Sequence, residues 1–222
     1  MELPEVQWHE GVVRTELAAV VQTLAVTIGP RSYTDPINLN AAADFISQRL
    51  DSFGYQVTAQ PYQVGELTFR NIIAERRGTE QPDRVIVIGA HYDTVVGSPG
   101  ADDNASGAAV LLELARLHAQ TRFRKTVRFV AFTLEEPPFF RSHHMGSRVY
   151  ARALKERREQ VEAMLCLESV GYYSQEKGSQ SFPWLVFWLR WRYPTTGDFS
   201  TIVSNAASQP LQTQVRDALK AT

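Results

Sequence analysis

Residues 84–93 read RVIVIGAHYD, a nearly unbroken apolar run that ends in a histidine and an aspartate. An apolar run this short and continuous predicts a central β-strand, because alternation with polar residues is lost when both faces of a strand are covered. The polar end of the run then lies at the carboxyl end of the strand. In parallel-type sheets that edge is where ligands bind.

Strand-like and helix-like segments alternate on both sides of this run. Apolar residues at helical spacing predict helices over residues 12–26, 39–53, 105–120 and 145–159. Short apolar or alternating runs predict strands over residues 55–59, 67–74, 127–132 and 163–167, the first two paired with each other. The alternation predicts an α/β fold, a three-layer α-β-α sandwich with a mostly parallel mixed central sheet.

Length and composition are those of an ordinary globular protein. The chain has 222 residues, of which 44% are hydrophobic and 21% charged, with a net charge of −1. This length suits one domain over residues 1–222, in which residues 1–37 form a helical lead-in. The absence of a basic excess argues against a nucleic-acid partner and against binding to anionic lipid.

The N-terminus and the single cysteine bear on location. Residues 1–5, MELPE, are acidic and lack the apolar core of a signal peptide. No apolar stretch approaches the roughly 20 residues that cross a membrane. We therefore predict a cytoplasmic protein without a membrane partner. Cys166 lies in an apolar run and is predicted to be a small core residue, since no basic or histidine neighbour would activate its thiol.

Acidic residues stand at the ends of the predicted strands. His91 and Asp93 end the first central strand, Glu135 and Glu136 end the next, and Glu168 ends the third. The run Asp102-Asp103-Asn104 precedes a predicted helix. These groups converge on one edge of the sheet, where crowded carboxylates repel one another unless a cation is bound. Imidazole together with carboxylates suits zinc.

Each of these groups also has an ordinary structural explanation. A His-x-Asp sequence is usually a surface polar pair, a Glu-Glu pair is usually a solvated strand end, and Asp102-Asp103-Asn104 fits a turn with a helix N-cap. Their joint placement at strand ends favours a metal site. Because residues two apart on an extended chain face the same way, Asp93 can accept the second ring N–H of His91 and orient it.

Three motifs in this order resemble the zinc exopeptidases of the aminopeptidase Y and bacterial leucyl aminopeptidase type. They are GAHYD at residues 89–93, GADDNASG at residues 100–107 and FTLEE at residues 132–136. The resemblance continues through MGS at residues 145–147 and LESVGYY at residues 167–173, and it covers the chain from about residue 38 onward.

The resemblance implies a site with two zinc ions and a metal-activated water. It implies that Asp102 bridges both ions, that the Asp102–Asp103 peptide is cis, and that Glu135 is the general base. Glu168 stands where many relatives have aspartate. The implied metal ligands are His91, Asp102, Glu136 and Glu168.

The resemblance also implies a final histidine ligand that this sequence does not show. No histidine follows His144, and the chain stops at Thr222 where relatives continue. We therefore expect a C-terminally incomplete domain. His143 and His144 are available as substitute ligands. The apolar segment 182–189 is expected to pack in the core, although it also suits a substrate pocket wall or a surface covered by the missing part.

The resemblance therefore implies a metal-dependent hydrolase that removes N-terminal amino acids from peptides. Three alternatives stay open: an inactive homologue that acts as a binding protein, a carboxypeptidase, and a glutaminyl cyclase. A serine hydrolase is disfavoured because the Gly-x-Ser-x-Gly elbow is absent from the sequence. A phosphate loop is disfavoured because residues 97–107 lack the Gly-Lys-Ser/Thr ending. The oligomeric state is left open.

Overall fold

The computed structural model describes residues 9–180, 191 and 194–220. It divides into two compact units, the first ending at Gly171 and the second beginning at Tyr172. The prediction of a single domain over residues 1–222 stays a prediction. The segment 182–189, which was expected to pack in the core, lies outside the described residues.

The first unit is built on a five-stranded mixed sheet with the strand order β1-β2-β4-β3-β5. Strands β4, β3 and β5 run parallel, whereas β1 pairs antiparallel with β2 and β2 with β4. The predicted mixed sheet is therefore confirmed. The strands are β1 (Gln56–Val64), β2 (Leu67–Arg76), β3 (Gln81–His91), β4 (Lys125–Phe132) and β5 (Gln160–Cys166).

Helices cover both faces of this sheet, as the three-layer prediction requires. They are α1 (Glu10–Gln22), α2 (Pro36–Ser52), α3 (Gly107–Leu117) and α4 (Gly146–Glu156). The side chains of β3 alternate between two cores, since Val85 and Val87 pack with α4 while Ile86 and Ile88 pack with the other helices. Burial on both faces explains why the sequence of β3 is a continuous apolar run.

Helix α2 begins and ends where its sequence supplies the right caps. The Asp35 carboxylate accepts the Asn38 N–H at 3.3 Å, and Pro36 occupies the first helical position. The chain leaves the helix through Gly54, whose φ of 81° favours glycine. This end lies one residue before the predicted one.

Helix α1 continues as a π-helical segment, Thr23–Ile28, that ends at Gly29. By length and composition alone, the continuous helix Glu10–Ile28 is long and apolar enough to cross a membrane. The sequence analysis did not predict such a segment. One side of it is buried in the main core through Val20, Leu24 and Ala25. Leu17, Val21 and Ile28 pack partly against the same core, whereas Val12 and Val26 are exposed. The absence of a membrane partner stays a prediction.

Strand β5 differs from its prediction. It was expected to be a short buried strand, but it lies at an edge of the described sheet and alternates between exposed and half-buried residues. Cys166 is exposed rather than a core residue. The apolar run predicted burial because composition does not reveal which strands have a neighbour on both sides.

The second unit contains a short 3-10 turn, Ala206–Ser208, followed by helix α5, Gln209–Lys220. The Asn205 side chain accepts the Ser208 N–H at 2.9 Å and so caps the turn. Ser174 and Gly197 form an isolated antiparallel bridge.

Candidate metal centre

His91 ends strand β3 and is almost completely buried, with 3% of its surface exposed. Its Nδ1 atom faces Asp93, at 3.2 Å from the backbone oxygen and 3.4 Å from carboxylate Oδ1. This pairing confirms that the two residues face the same way. With Nδ1 occupied, Nε2 is the ring nitrogen directed at the other carboxylates.

Asp93 also holds the end of the neighbouring strand. Its Oδ1 accepts the N–H of Glu135 at 3.2 Å, and its Oδ2 accepts the N–H of Glu136 at 3.1 Å. Asp93 is 2% exposed, so these bonds satisfy a carboxylate that is out of contact with water. One buried side chain therefore fixes both the histidine and the Glu135-Glu136 pair.

Three carboxylates surround the Nε2 atom of His91. Asp103 Oδ1 lies at 3.1 Å, Glu168 Oε2 at 3.3 Å and Glu135 Oε2 at 3.9 Å. They come from the turn before α3 and from the segments after β5 and β4. The strand ends thus converge on one histidine, as the sequence predicts.

One group of side chains within the described residues has the compactness that a metal ion needs. His91, Asp103 and Glu136 each offer a ligand atom, and all three atoms lie within 4.8 Å of one another. One imidazole and two carboxylates are donors that zinc accepts. Glu168 contacts the same histidine nitrogen but is not a member of this group.

Asp102 is placed differently from its prediction. Its Oδ1 accepts the N–H of Gly171 at 2.8 Å and lies 3.3 Å from Ser106 Oγ, so the carboxylate faces the segment after β5. Asp103 departs from helical geometry with φ −103° and ψ 98°, and its side chain projects to His91 instead. The structure therefore brings the carboxylate of Asp103 to His91 and directs that of Asp102, the predicted ligand, to Gly171. The cis peptide bond is Asp103–Asn104, one residue later than predicted.

Two further side chains of this turn hold the segment that carries Glu168. Asn104 donates to the Leu167 oxygen at 2.9 Å and accepts the Ser169 N–H at 3.2 Å. Ser106 Oγ accepts the Val170 N–H at 2.9 Å. Sequence reasoning treated Asn104 and Ser106 only as parts of a motif, because nothing local indicates a partner some 60 residues later.

Burial and crowding shift the pKa values of this cluster in a consistent pattern. Burial alone would lower the pKa of His91, but hydrogen bonds to Asp103, Asp93 and Glu168 raise it well above its usual value. The same bond to His91 lowers the pKa of Asp103. Burial raises the pKa of Glu135 to about 7. Burial and the charge of Asp103 raise the pKa of Glu136. The excess of carboxylates is what a bound cation would relieve.

His143 and His144 do not join the cluster of His91, Asp103 and Glu136 among the described residues. Their rings lie 3.8 Å apart, and the ring of His144 packs edge-on against Phe139 at 6.3 Å. The structure therefore gives no support to either of them as a substitute ligand.

The sequence matches one protein family over much of its length. The profile of peptidase family M28 matches residues 71–217. The chain is 40% identical to YfbL of Escherichia coli strain K12, over 92% of this chain and 64% of YfbL. It is 37% identical to aminopeptidase YwaD of Bacillus subtilis strain 168, over 52% of this chain and 24% of YwaD. The chain thus spans less than two thirds of the length of these relatives.

Solved structures share the fold. The zinc aminopeptidase BSAP from Bacillus subtilis superimposes with a TM-score of 0.64 at 18% identity, over 75% of this chain and 71% of that protein. The glutaminyl cyclase of Porphyromonas gingivalis superimposes with a TM-score of 0.61 at 26% identity, over 79% of this chain and 66% of that protein. Both likenesses agree with the observed α/β architecture.

Proposed function

The chain belongs to peptidase family M28, and on that premise we propose that it carries a zinc-dependent aminopeptidase site that removes N-terminal amino acids from peptides. The observation that supports this most is the convergence of Asp103, Glu168 and Glu135 on His91 Nε2. The similarity to aminopeptidase YwaD supports the choice of reaction.

The donor set fits zinc. His91, Asp103 and Glu136 would hold the ion, with Glu168 beside them as a further carboxylate. Zinc, when bound, supplies a Lewis acid that lowers the pKa of water and polarises a carbonyl group. Two zinc ions are part of the proposal, because the three carboxylates around His91 carry more negative charge than one zinc ion would balance.

Glu135 is the residue we assign as general base. Its Oε2 lies 3.9 Å from His91 Nε2, and it is outside the compact group of His91, Asp103 and Glu136. A pKa raised to about 7 suits a group that must both accept and release a proton near neutral pH. In this role Glu135 takes the proton of the attacking water and passes it to the leaving amine.

Exposed carboxylates at the same edge suit a peptide substrate with a free N-terminus. The side chains of Asp103 and Glu168 are 54% and 53% exposed. With Asp103 bound to zinc, Glu168 is the one of the two whose negative charge would face the positively charged α-amine of a peptide. A cytoplasmic location and the absence of nucleic-acid and membrane partners remain predictions.

The test of this proposal is the variant Glu135→Gln, assayed on aminoacyl-p-nitroanilides with zinc present. The variant keeps the size of the side chain but cannot accept a proton. We expect zinc content to be unchanged and turnover to fall by about 10²–10⁴-fold, the usual contribution of a general base. Wild-type turnover by the variant would exclude Glu135 as the base.

Glutaminyl cyclisation is the second candidate, supported by the likeness to the Porphyromonas gingivalis glutaminyl cyclase. A peptide with N-terminal glutamine separates the two reactions, since cyclisation releases ammonia and keeps the peptide chain intact. An aminopeptidase releases free glutamine. Zinc binding with neither product would favour the alternative of a non-catalytic homologue.

A further inference from the structure

Arg31 is a fully buried arginine beside the candidate metal centre, with 0% of its surface exposed. It follows the π-helical segment and was not singled out by any motif in the sequence. Within the described residues it has no carboxylate partner at ion-pair distance. Burying a guanidinium without such a partner is costly, so the contacts that it does make need an explanation.

The guanidinium donates to five backbone carbonyl oxygens from three parts of the chain. Nε donates to Tyr92 O at 2.8 Å, and Nη2 donates to Gly100 O at 3.1 Å. The remaining bonds, all from Nη1, go to Leu24 O at 2.8 Å, Gly29 O at 3.0 Å and Pro99 O at 2.7 Å. Every N–H of a guanidinium is a donor in a fixed plane, so these bonds set the relative positions of their acceptors.

Two of these acceptors lie in the segments that carry His91 and Asp103. Tyr92 directly follows His91, and Gly100 begins the turn that carries Asp103. The backbone of Arg31 adds a second link, because its N–H donates to Thr94 Oγ1 at 2.9 Å and its oxygen accepts the Thr94 N–H at 3.3 Å. Arg31 is thereby bonded to Tyr92, which lies between His91 and Asp93, and to Thr94, which directly follows Asp93.

The packing around Gly100 shows how little room the turn has. Gly100 has a φ of 54°, and a Cβ there would lie 2.3 Å from Thr94 Cγ2 and 3.2 Å from Arg31 Nη2. The backbone of the turn therefore packs closely against the guanidinium group of Arg31. Burial lowers the pKa of Arg31 to about 10, while the charges of Asp93 and Asp103 act in the opposite direction. The side chain stays positively charged at neutral pH and adds a cation behind the acidic cluster.

We propose that Arg31 is a positioning residue of the metal centre, which holds the strand end of His91 and the turn of Asp103 at the separation that zinc binding requires. This inference rests on the proposed zinc site. Arg31 does not contact the metal or the substrate. It acts by fixing the backbone, so that two ligands from distant parts of the sequence are placed before the ion arrives.

The test compares Arg31→Lys with Arg128→Lys in the full chain. Lysine retains the charge but has no planar set of donors, so it cannot bond all five carbonyl groups. Arg128 is a matched control: it is also largely buried, with 14% of its side chain exposed, and it is paired with Glu75 at 2.6 Å and with Glu159, outside the metal cluster. The readout is the dissociation constant for zinc, measured by competition with a chelator.

We expect Arg31→Lys to weaken zinc binding by about 10–100-fold, the range found when residues that orient metal ligands are replaced. Saturating zinc should restore most of its turnover. Arg128→Lys should lose thermal stability but keep the zinc affinity of the wild type. If Arg31→Lys does not fold, Thr94→Val removes one bond to the same loop, and we expect it to weaken zinc binding by a smaller factor.

Unchanged zinc affinity in folded Arg31→Lys would overturn the inference, as would an equal loss in Arg128→Lys. If Arg31→Lys does not fold, unchanged zinc affinity in Thr94→Val would overturn the inference as well. A wild-type chain that binds no zinc would overturn the proposed function and this inference together. Wild-type zinc binding with unaffected variants would overturn the inference alone, so the two failures are distinguishable.

Discussion

The two sides of the candidate metal centre are built in different ways. On the first side, at the ends of β3 and β4, His91 and Asp93 are 3% and 2% exposed and are bonded to each other, and Asp93 also accepts the N–H groups of Glu135 and Glu136. On the second side, after β5, the side chain of Glu168 is 53% exposed. Its segment is held by side chains of the turn that precedes α3.

The cause of this difference lies in the sheet. Strand β3 has β4 and β5 as neighbours, and both of its faces are covered, so its end is fixed by the core. Strand β5 lies at an edge of the described sheet, and its side chains are partly or fully exposed. The first side is therefore positioned by the core, whereas the second depends on a few polar side chains.

The largest expected effect is the loss of zinc from His91→Ala. We expect its zinc affinity to fall by more than about 100-fold, beyond the loss caused by replacing a residue that only orients a ligand. Glu168→Ala should lose far less, because water can replace an exposed carboxylate. Zinc content after dialysis, measured by elemental analysis, checks both.

A histidine outside the site provides the control for this prediction. His118, whose ring packs against Phe123, lies at the end of α3 and is only half-buried. His118→Ala should retain the zinc content of the wild type. If Glu168→Ala lost as much zinc as His91→Ala, the difference between the two sides would not exist.

An intermediate effect is expected for Asp93→Asn. The amide cannot accept from two backbone N–H groups and the imidazole together, because one of its two polar atoms is a donor. We expect zinc affinity to fall by about 10–100-fold with His91 still in place. Calorimetric titration with zinc measures the change. Wild-type affinity would show that the buried carboxylate does not orient the histidine.

The smallest expected effect concerns Asn104, which holds the second side. Asn104→Ala leaves Leu167 O and the Ser169 N–H without their partner, and we expect a loss of about 1–3 kcal/mol in the free energy of unfolding. Its zinc affinity should fall by no more than that of Glu168→Ala, and the double variant should add little further loss. Urea denaturation and zinc titration provide the two measurements.

The matched control is Asn205→Ala, which removes a cap from an exposed turn in the second unit. It should leave zinc affinity unchanged. Fully additive losses of zinc affinity in the Asn104 and Glu168 double variant would show that the two residues act independently. That result would contradict the role assigned to Asn104.

The sequence predicts the first side of the site better than the second. The continuous apolar run of β3 and the spacing of His91 and Asp93 are local signals, and both lead to the observed geometry. The β5 run has the same apolar character, but its place in the sheet depends on pairing between distant segments. Local composition cannot supply that information.

Two further features are beyond local sequence patterns. Asp102 and Asp103 are chemically identical neighbours, and only the turn geometry decides which one faces His91. Arg31 has no motif, because its acceptors are backbone carbonyl groups that carry no residue identity. The contacts of Arg31 join segments that lie 61 and 69 residues apart in the sequence.

We propose a zinc centre formed by the end of β3 and the turn before α3, in which Asp103 is a ligand and Asp102 supports the second side. The most direct test is the zinc dissociation constant of the wild type, Asp103→Asn and Asp102→Asn. We expect tight zinc binding by the wild type, a loss of zinc affinity of more than about 100-fold in Asp103→Asn and a much smaller loss in Asp102→Asn. No zinc binding by the wild type, or a larger loss in Asp102→Asn than in Asp103→Asn, would contradict it.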